Sequence, residues 1–252
     1  MNTKLKGLVV GLANDKSIAW GCVQAFNALG ADLAITYLNE KSKAYVEPLA
    51  KSVNADIFMP LDVSDPSQED TLFAEIEQRW GKLDFLLHSI AFAPKEDLQG
   101  RVTDCSSKGF SLAMDISCHS LIRLAKRAEP LMKDGGSILT MSYYGGEKVI
   151  KNYNLMGPVK AALEASVRYL AYELGEKNIR VNAISPGPVK TRAASGLSHF
   201  DELMEKVADN APLHQLVTIE QIGETAAFLV SQKALHISGQ TIYVDNGYNT
   251  IA

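Results

Sequence analysis

The stretch Leu5-Lys-Gly-Leu-Val-Val-Gly11, followed by Leu12-Ala-Asn-Asp-Lys-Ser-Ile-Ala-Trp-Gly21 and then by Asp32-Leu-Ala-Ile-Thr-Tyr37, decides the fold. Its first run is apolar, of strand length, and ends on a glycine. Ser17 stands where a helix can be capped, the helical pattern runs to about position 29, and Gly30 stops it. A second apolar run begins at once. Strand, helix and strand in this order make a crossover unit, whose strands lie parallel with the helix on one face.

The same alternation continues outward from this unit. A helical pattern over 41–53 precedes a short strand at 57–59. Asp65-Pro66-Ser67-Gln68 then reads as a helix start, with a capping residue, proline at the first position and glutamine at the third. Leu72, Phe73, Ile76 and Trp80 mark one face of that helix, and Gly81 ends it. A strand at 83–88 follows, then a long helical region over 110–132 and a strand at 137–142. The next helix is expected from Pro158 to 174, with a strand at 179–184 after it. Thr218-Ile-Glu-Gln221 is a second capping box and opens a helix to about 230, and a last strand falls at 240–244.

Seven strands with interleaved helices imply an α/β protein, a Rossmann-type doubly wound parallel sheet covered on both faces. With 252 residues and no repeat, low-complexity tract or linker, the expectation is one domain over 1–252.

Composition excludes several classes of function. The chain is 46% hydrophobic and 21% charged, ordinary for a globular protein with a sizeable core. Its net charge of -4 leaves no basic surplus for phosphates, so nucleic acid is not expected as a partner. No apolar run is long enough for a membrane span or a signal peptide, which reads as cytoplasmic. Cys22, Cys105 and Cys118 are odd in number and lack C-x-x-C spacing, as in a reducing compartment. His88 reads as a core residue inside a strand, and no histidine pair has metal-ligand spacing, so no metal site is expected.

The turn after the first strand is where a doubly wound fold seats a dinucleotide, since helix-end N–H groups and the helix dipole favour a pyrophosphate. Gly11 allows close approach there, and Ser17 offers a hydroxyl. The strict G-x-G-x-x-G pattern is absent, and an ordinary strand–helix turn reads equally well. Asp62-Val63, placed to contact an adenine ring, and Ser89-Ile90-Ala91 also follow strand ends, where open α/β sheets bind ligands. The second strand ends in Tyr37-Leu38-Asn39-Glu40, with no arginine to clamp a 2′-phosphate. NADH is therefore favoured over NADPH, although Lys41 and Lys43 lie nearby.

Ser142-Tyr-Tyr-Gly-Gly-Glu-Lys-Val-Ile-Lys-Asn-Tyr-Asn-Leu-Met-Gly-Pro-Val-Lys160 follows the fifth strand and carries three tyrosines and a terminal lysine. A Tyr/Lys pair in this place resembles the short-chain dehydrogenase/reductase superfamily, whose common members space it Tyr-x-x-x-Lys. Here six residues separate Tyr153 from Lys160, and Tyr143 stands ten before Tyr153. That wider spacing, with Ser17-Ile-Ala, His88-Ser-Ile-Ala-Phe-Ala-Pro94 and Arg180-Val-Asn-Ala-Ile-Ser185, resembles the bacterial NADH-dependent enoyl-acyl-carrier-protein reductases over nearly the whole chain.

The resemblance implies reduction of the carbon–carbon double bond of trans-2-enoyl thioesters on acyl carrier protein, the last step of fatty-acid elongation. Hydride addition to the β-carbon drives negative charge onto the thioester oxygen, and a donor there favours the transition state over the ground state. A phenol, neutral at pH 7, suits that role. The resemblance assigns it to Tyr153, gives Lys160 the nicotinamide ribose, and places Tyr143 in the acyl pocket with a possible part in proton relay. Tyr144 reads as packing. Two helical turns separate Tyr153 from Lys160, but a helix starting near Pro158 would leave Tyr153 outside it.

The resemblance also implies cofactor contacts at Gly11, Ser17, Ile18, Leu38, Asp62, Val63, Ser89, Ile90, Ala91 and Ser142. Gly187, Val189 and Thr191 join them from the proline-flanked turn after strand six. Substrate contacts are implied at Ala93, Met156, Ala193, Ala194, Phe200 and Leu203, beside Tyr143 and Tyr153. Small residues 193–196 leading into Phe200, Leu203, Met204 and Val207 at helical spacing suit either a lid over about 190–210 or a plain core-facing helix. Arg192 departs from the apolar residue usual there. A homotetramer is also implied, and the face of Leu163, Val167, Leu170 and Leu174 suits such a contact or packing on its own sheet. Two other readings stay open: a 3-ketoacyl (carbonyl) reductase, which the absent Tyr-x-x-x-Lys spacing disfavours, and a non-catalytic dinucleotide sensor.

Overall fold

The computed structural model describes residues 4–191 and 200–251. Seven strands, β1 (Lys6–Val10), β2 (Asp32–Tyr37), β3 (Ile57–Pro60), β4 (Phe85–His88), β5 (Gly136–Met141), β6 (Ile179–Pro186) and β7 (Thr241–Val244), form one sheet in the order β3-β2-β1-β4-β5-β6-β7. Every pairing is parallel. All C-terminal strand ends therefore lie along one rim, and the chain reverses its direction of winding between β1 and β4, where such sheets open a ligand crevice.

Helices α1 (Ile18–Ala28), α2 (Glu40–Ser52) and α3 (Pro66–Trp80) follow the first three strands. α4 (Lys95–Leu98), α5 (Ser107–Met114) and α6 (Ser120–Ala128) lie between β4 and β5. The long helical region expected over 110–132 is continuous from α5 through a π segment, Asp115–His119, into α6 and a final tight turn at Glu129–Leu131. α7 (Met156–Leu174), α8 (Phe200–Asn210) and α9 (Ile219–Val230) complete the set. Among the described residues, no helix is long and apolar enough to cross a membrane.

Alternation along the strands sorts side chains to two cores. Leu8, Ile138, Val181 and Ala183 face α3, α6 and α7, whereas Val9, Leu139 and Ile184 face α1 and α9. Leu163, Val167, Leu170 and Leu174 belong to the first core, so that face of α7 packs on its own sheet and is not a subunit contact. α1 and α9 pack backbone to backbone: a Cβ on Gly21 would stand 2.0 Å from Ile219 O, and one on Gly223 2.2 Å from Gly21 O.

The helix ends show what the short motifs do. Asn39 and Thr218 form capping boxes with Ser42 and Gln221, and Gly81 ends α3 in the left-handed conformation. Ser17 corrects its expectation. It occupies the N-cap position of α1, but its hydroxyl turns back to accept from the backbone N–H groups of Ala13 and Asn14. It holds the loop and leaves the helix end uncapped by a side chain.

Candidate active site

The rim at the C-terminal strand ends gathers the expected cofactor residues. Gly11 has φ +102°, and a Cβ there would lie 2.1 Å from Ser89 O, so only glycine lets the end of β1 turn against the end of β4. Ser89, Ile90 and Ala91 continue from β4, and Ser17 and Ile18 open α1 on the other side of this crevice. The site fits a dinucleotide on two counts. A glycine cradle stands at the topological switch point, and the N-terminal amides of α1 have no side-chain cap.

The outer cofactor positions are less uniform. Leu38 is 54% exposed beyond β2. Lys43 pairs with Glu40 at 3.5 Å and lies over the Tyr37 ring. Asp62 accepts from the Ser64 backbone and hydroxyl at 2.9 and 2.6 Å, and buried Val63 offers its carbonyl to Arg123. After β6, buried Gly187 donates to Val244 O at 2.9 Å, and Thr191 N reaches Val189 O at 2.8 Å. Ser142 follows β5, but its hydroxyl donates to Glu164 Oε1 at 2.5 Å, so that group is engaged within the protein.

Tyr153 and Lys160 come from two elements. α7 begins at Met156, two residues before Pro158, and Tyr153 lies in the loop ahead of it. The two-turn helical relation between Tyr153 and Lys160 is therefore absent. Three glycines bring them to one place instead. A Cβ on Gly145 would meet the Tyr153 ring at 2.3 Å, one on Gly146 would crowd the Lys160 backbone at 3.0 Å, and one on Gly157 would stand 3.1 Å from Gly145 O. The loop after β5 thus folds flat against both Tyr153 and the start of α7. Gly157-Pro158 signals the helix start in the sequence, whereas the Gly145-Gly146 dipeptide is the signal for the close-packed loop that the sequence reading leaves unused.

Lys160 is 4% exposed and donates to Met141 O at 2.7 Å. Burial pushes its pKa down to about 8, against the opposing pull of Cys118 and Glu164. It stays mainly protonated at neutral pH. Tyr153 and Tyr143 meet edge to face with ring centroids 4.8 Å apart. Burial, reinforced by Tyr143 and Glu164, holds the Tyr153 hydroxyl protonated well above the ordinary phenol range. Tyr143 is raised by burial as well.

An apolar cluster packs around Tyr153. Tyr153, Met156, Leu155, Val159 and Ala113 are buried together, with Ala93 and Tyr143 packed against them. Tyr153 also opens onto a cavity of about 650 Å³ whose far wall is Phe200 and Leu203 of α8. Ala93, Tyr143, Tyr153, Met156, Phe200 and Leu203 are thereby brought together. Val207 and Leu203 of α8 pack on Tyr144 and Tyr248, so this helix has a core-facing side as well as a pocket-facing one. Tyr144 is a packing residue as expected. Arg192, Ala193 and Ala194 lie outside the described residues.

His88 takes no part in the pocket. It is fully buried, with Nδ1 2.8 Å from Thr140 Oγ1 and Nε2 2.8 Å from Ser120 Oγ. Ser120 donates its own proton to Ile116 O, so Nε2 carries the imidazole proton and Nδ1 accepts from Thr140. Burial lowers its pKa to about 3 and keeps it neutral.

Comparison with known proteins agrees with this geometry. Residues 11–249 match the family model described as enoyl-(acyl carrier protein) reductase. The chain is 47% identical over 251 residues to the NADH enoyl-[acyl-carrier-protein] reductase 1 of Rhizobium meliloti, covering 100% of this chain and 92% of that protein. It is 48% identical to the Rickettsia typhi NADH enoyl-[acyl-carrier-protein] reductase, covering 100% and 98%. The Anaplasma phagocytophilum reductase, solved in complex with NAD, superposes with a TM-score of 0.94 at 47% identity, covering 100% of this chain and 98% of that one. The Bacillus cereus reductase, solved with NADP+ and an indole naphthyridinone, gives 0.96 at 42% identity, covering 98% and 97%. By its sheet, its crevice, its wide Tyr–Lys spacing and these matches, the chain belongs to the enoyl-(acyl carrier protein) reductase family.

Proposed function

We propose that this chain reduces the double bond of trans-2-enoyl thioesters on acyl carrier protein with NADH, and that Tyr153 is its oxyanion donor. The observation that carries the proposal is the buried, protonated Tyr153, which borders a cavity of about 650 Å³ and whose loop is packed by Gly145 and Gly146 onto the start of α7, where Lys160 lies. NADH bound in the crevice supplies the hydride that adds to the β-carbon. Gly11, Ser17, Ile18, Ser89, Ile90 and Ala91 would hold it at the crevice, with Gly187, Val189 and Thr191 on the far side.

As charge develops on the thioester oxygen, the Tyr153 hydroxyl donates to it. The donor is pre-placed and partly desolvated, so it need not reorganise at the moment of reaction. Lys160, cationic at neutral pH, takes the ribose hydroxyls and adds positive potential beside that oxygen. Tyr143 packs on the edge of Tyr153 and fixes its ring. Ala93, Met156, Phe200 and Leu203 contact the acyl chain and exclude water, which strengthens the interactions beneath them. α8 and the residues before it serve as the lid.

The pocket mouth supports an acidic carrier. The cavity of about 650 Å³ is rimmed by Lys148, Lys151 and Lys206, all exposed, with Glu202 the one acidic member of its lining among the described residues. Charge-reversing the three lysines should raise KM for carrier-bound enoyl thioesters roughly tenfold, with little change for the same acyl group on a small neutral thiol. Equal effects on both substrates would remove the docking role. Phe110, Ile122, Tyr169 and Tyr172 are exposed on α5, α6 and α7, which supports association as a homotetramer. Light scattering should then give four times the 27.4 kDa chain mass, and a monomer would exclude it.

A further inference from the structure

Two neighbouring residues at the end of β5 are each gripped by α7. Lys160 Nζ donates to the carbonyl of Met141 at 2.7 Å, and the hydroxyl of the next residue, Ser142, donates to Glu164 Oε1 at 2.5 Å. Lys160 and Glu164 are four residues apart, so they stand one above the other on the same helix face. Among the described residues the acceptor of Lys160 is a neutral carbonyl, and the nearest carboxylate on its own helix is the one that Ser142 holds.

We propose that Glu164 is a positioning residue for Lys160: anchored by Ser142, it fixes the second turn of α7 on the end of β5 and supplies the countercharge that keeps the buried ammonium protonated. The inference rests on the reading of Lys160 as the residue that binds the nicotinamide ribose. Without a nearby negative charge, an ammonium 4% exposed would lose its proton readily.

The groups that bear on this balance come from every surrounding element. Cys118 of the π segment and Glu164 favour the charged lysine, and burial opposes it. His88 on β4 feels the lysine but is neutral. Burial, with Glu147, holds the Glu164 carboxyl above the ordinary glutamate range on balance, although Ser142, Arg168 and Lys160 pull it down. Glu147 itself accepts from the Tyr243 hydroxyl. Tyr153 feels Glu164 too, and in the direction that keeps its proton on. One carboxylate therefore biases both members of the reactive pair toward their protonated forms.

The test is the pH dependence of NADH affinity, followed by nucleotide fluorescence, alongside the melting temperature. In the parent, affinity should fall as pH rises through about 8. Glu164→Gln keeps an acceptor for Ser142 and removes the charge. Its midpoint should move down by roughly one pH unit, with about tenfold weaker binding at the parent's midpoint. Glu164→Asp should restore most of the shift. Ser142→Ala keeps the charge and removes the anchor, so it should weaken binding several-fold with a smaller shift.

A Glu164→Gln protein that melts lower but keeps the parent's midpoint would overturn the proposal and leave a structural role only. Should that variant not fold, Ser142→Ala binding NADH as the parent does would overturn it equally. Lys160→Ala is the control. Unchanged NADH affinity in Lys160→Ala would show that the reading of Lys160 has failed, and the inference with it. Weakened affinity there with no effect of Glu164→Gln would refute the inference alone.

Discussion

Tyr153 is ordered by what lies under it. Gly145 lets the loop after β5 pass where any Cβ would collide with the ring, and Tyr143 closes the edge. Burial then keeps the phenol neutral across the working pH range, as a hydrogen-bond donor to a developing oxyanion must be. Tyr153→Phe should lower kcat by about 10²–10³-fold with NADH affinity unchanged, checked by steady-state rates and fluorescence titration. Lys160 gives a prediction with two opposite signs. Its folded pKa of about 8 lies below the 10.5 of an ordinary lysine, so the unfolded chain holds this proton between those values and the folded chain does not. Across that window its contribution to stability rises with pH while cofactor binding falls. Urea midpoints and NADH affinity measured from pH 7.5 to 10 should therefore diverge, and the divergence should vanish in Lys160→Ala. Tyr143, Tyr153 and Lys160 were legible in the sequence as residues. Their relation was not, because it runs through a non-helical loop and three glycines, with no helical period to reveal it.

The elements around the site divide between strong and weak sequence signals. Capping boxes at Asn39 and Thr218 and the left-handed Gly81 act locally, and the helices begin or end there as their chemistry requires. The π segment at 115–119 left no such mark, since its extra residue is set by packing against α7 and the end of β4. Ser17 shows a different failure. A capping residue type stands at the N-cap, but its hydroxyl stabilises the loop before the helix. That leaves the α1 amides for a phosphate. Glycines 21 and 223 carry an element-scale prediction. They let α1 and α9 touch along their backbones, and a side chain at either must push α1 away from the sheet. Gly223→Val should cost about 2–3 kcal/mol by urea denaturation. It should also weaken NADH binding, because the N-terminus of α1 forms one side of the crevice.

At the scale of the molecule, the alternation of strands and helices was enough to predict the seven-stranded parallel sheet, because each crossover has one favoured hand and the strands inside the sheet are buried on both faces. The strand order β3-β2-β1-β4-β5-β6-β7 then places every strand end on one rim, with the crevice between β1 and β4 at its middle and the apolar cluster around Tyr153 beyond β5. Which face of α7 meets the sheet was undecidable from its apolar residues alone, since Leu163, Val167, Leu170 and Leu174 suit either partner, and only the packing resolves it. The assignment to carbon–carbon rather than carbonyl reduction rests on the family match over residues 11–249, and Tyr153 and Lys160 stand within it across a loop and a helix start. The most direct test is NADH oxidation followed optically with matched 2-enoyl and 3-ketoacyl thioesters over a series of chain lengths. Consumption with the enoyl series, absent with the keto series and lost in Tyr153→Phe, is the result expected. Oxidation with the keto series, or none with any enoyl thioester, would contradict the assignment.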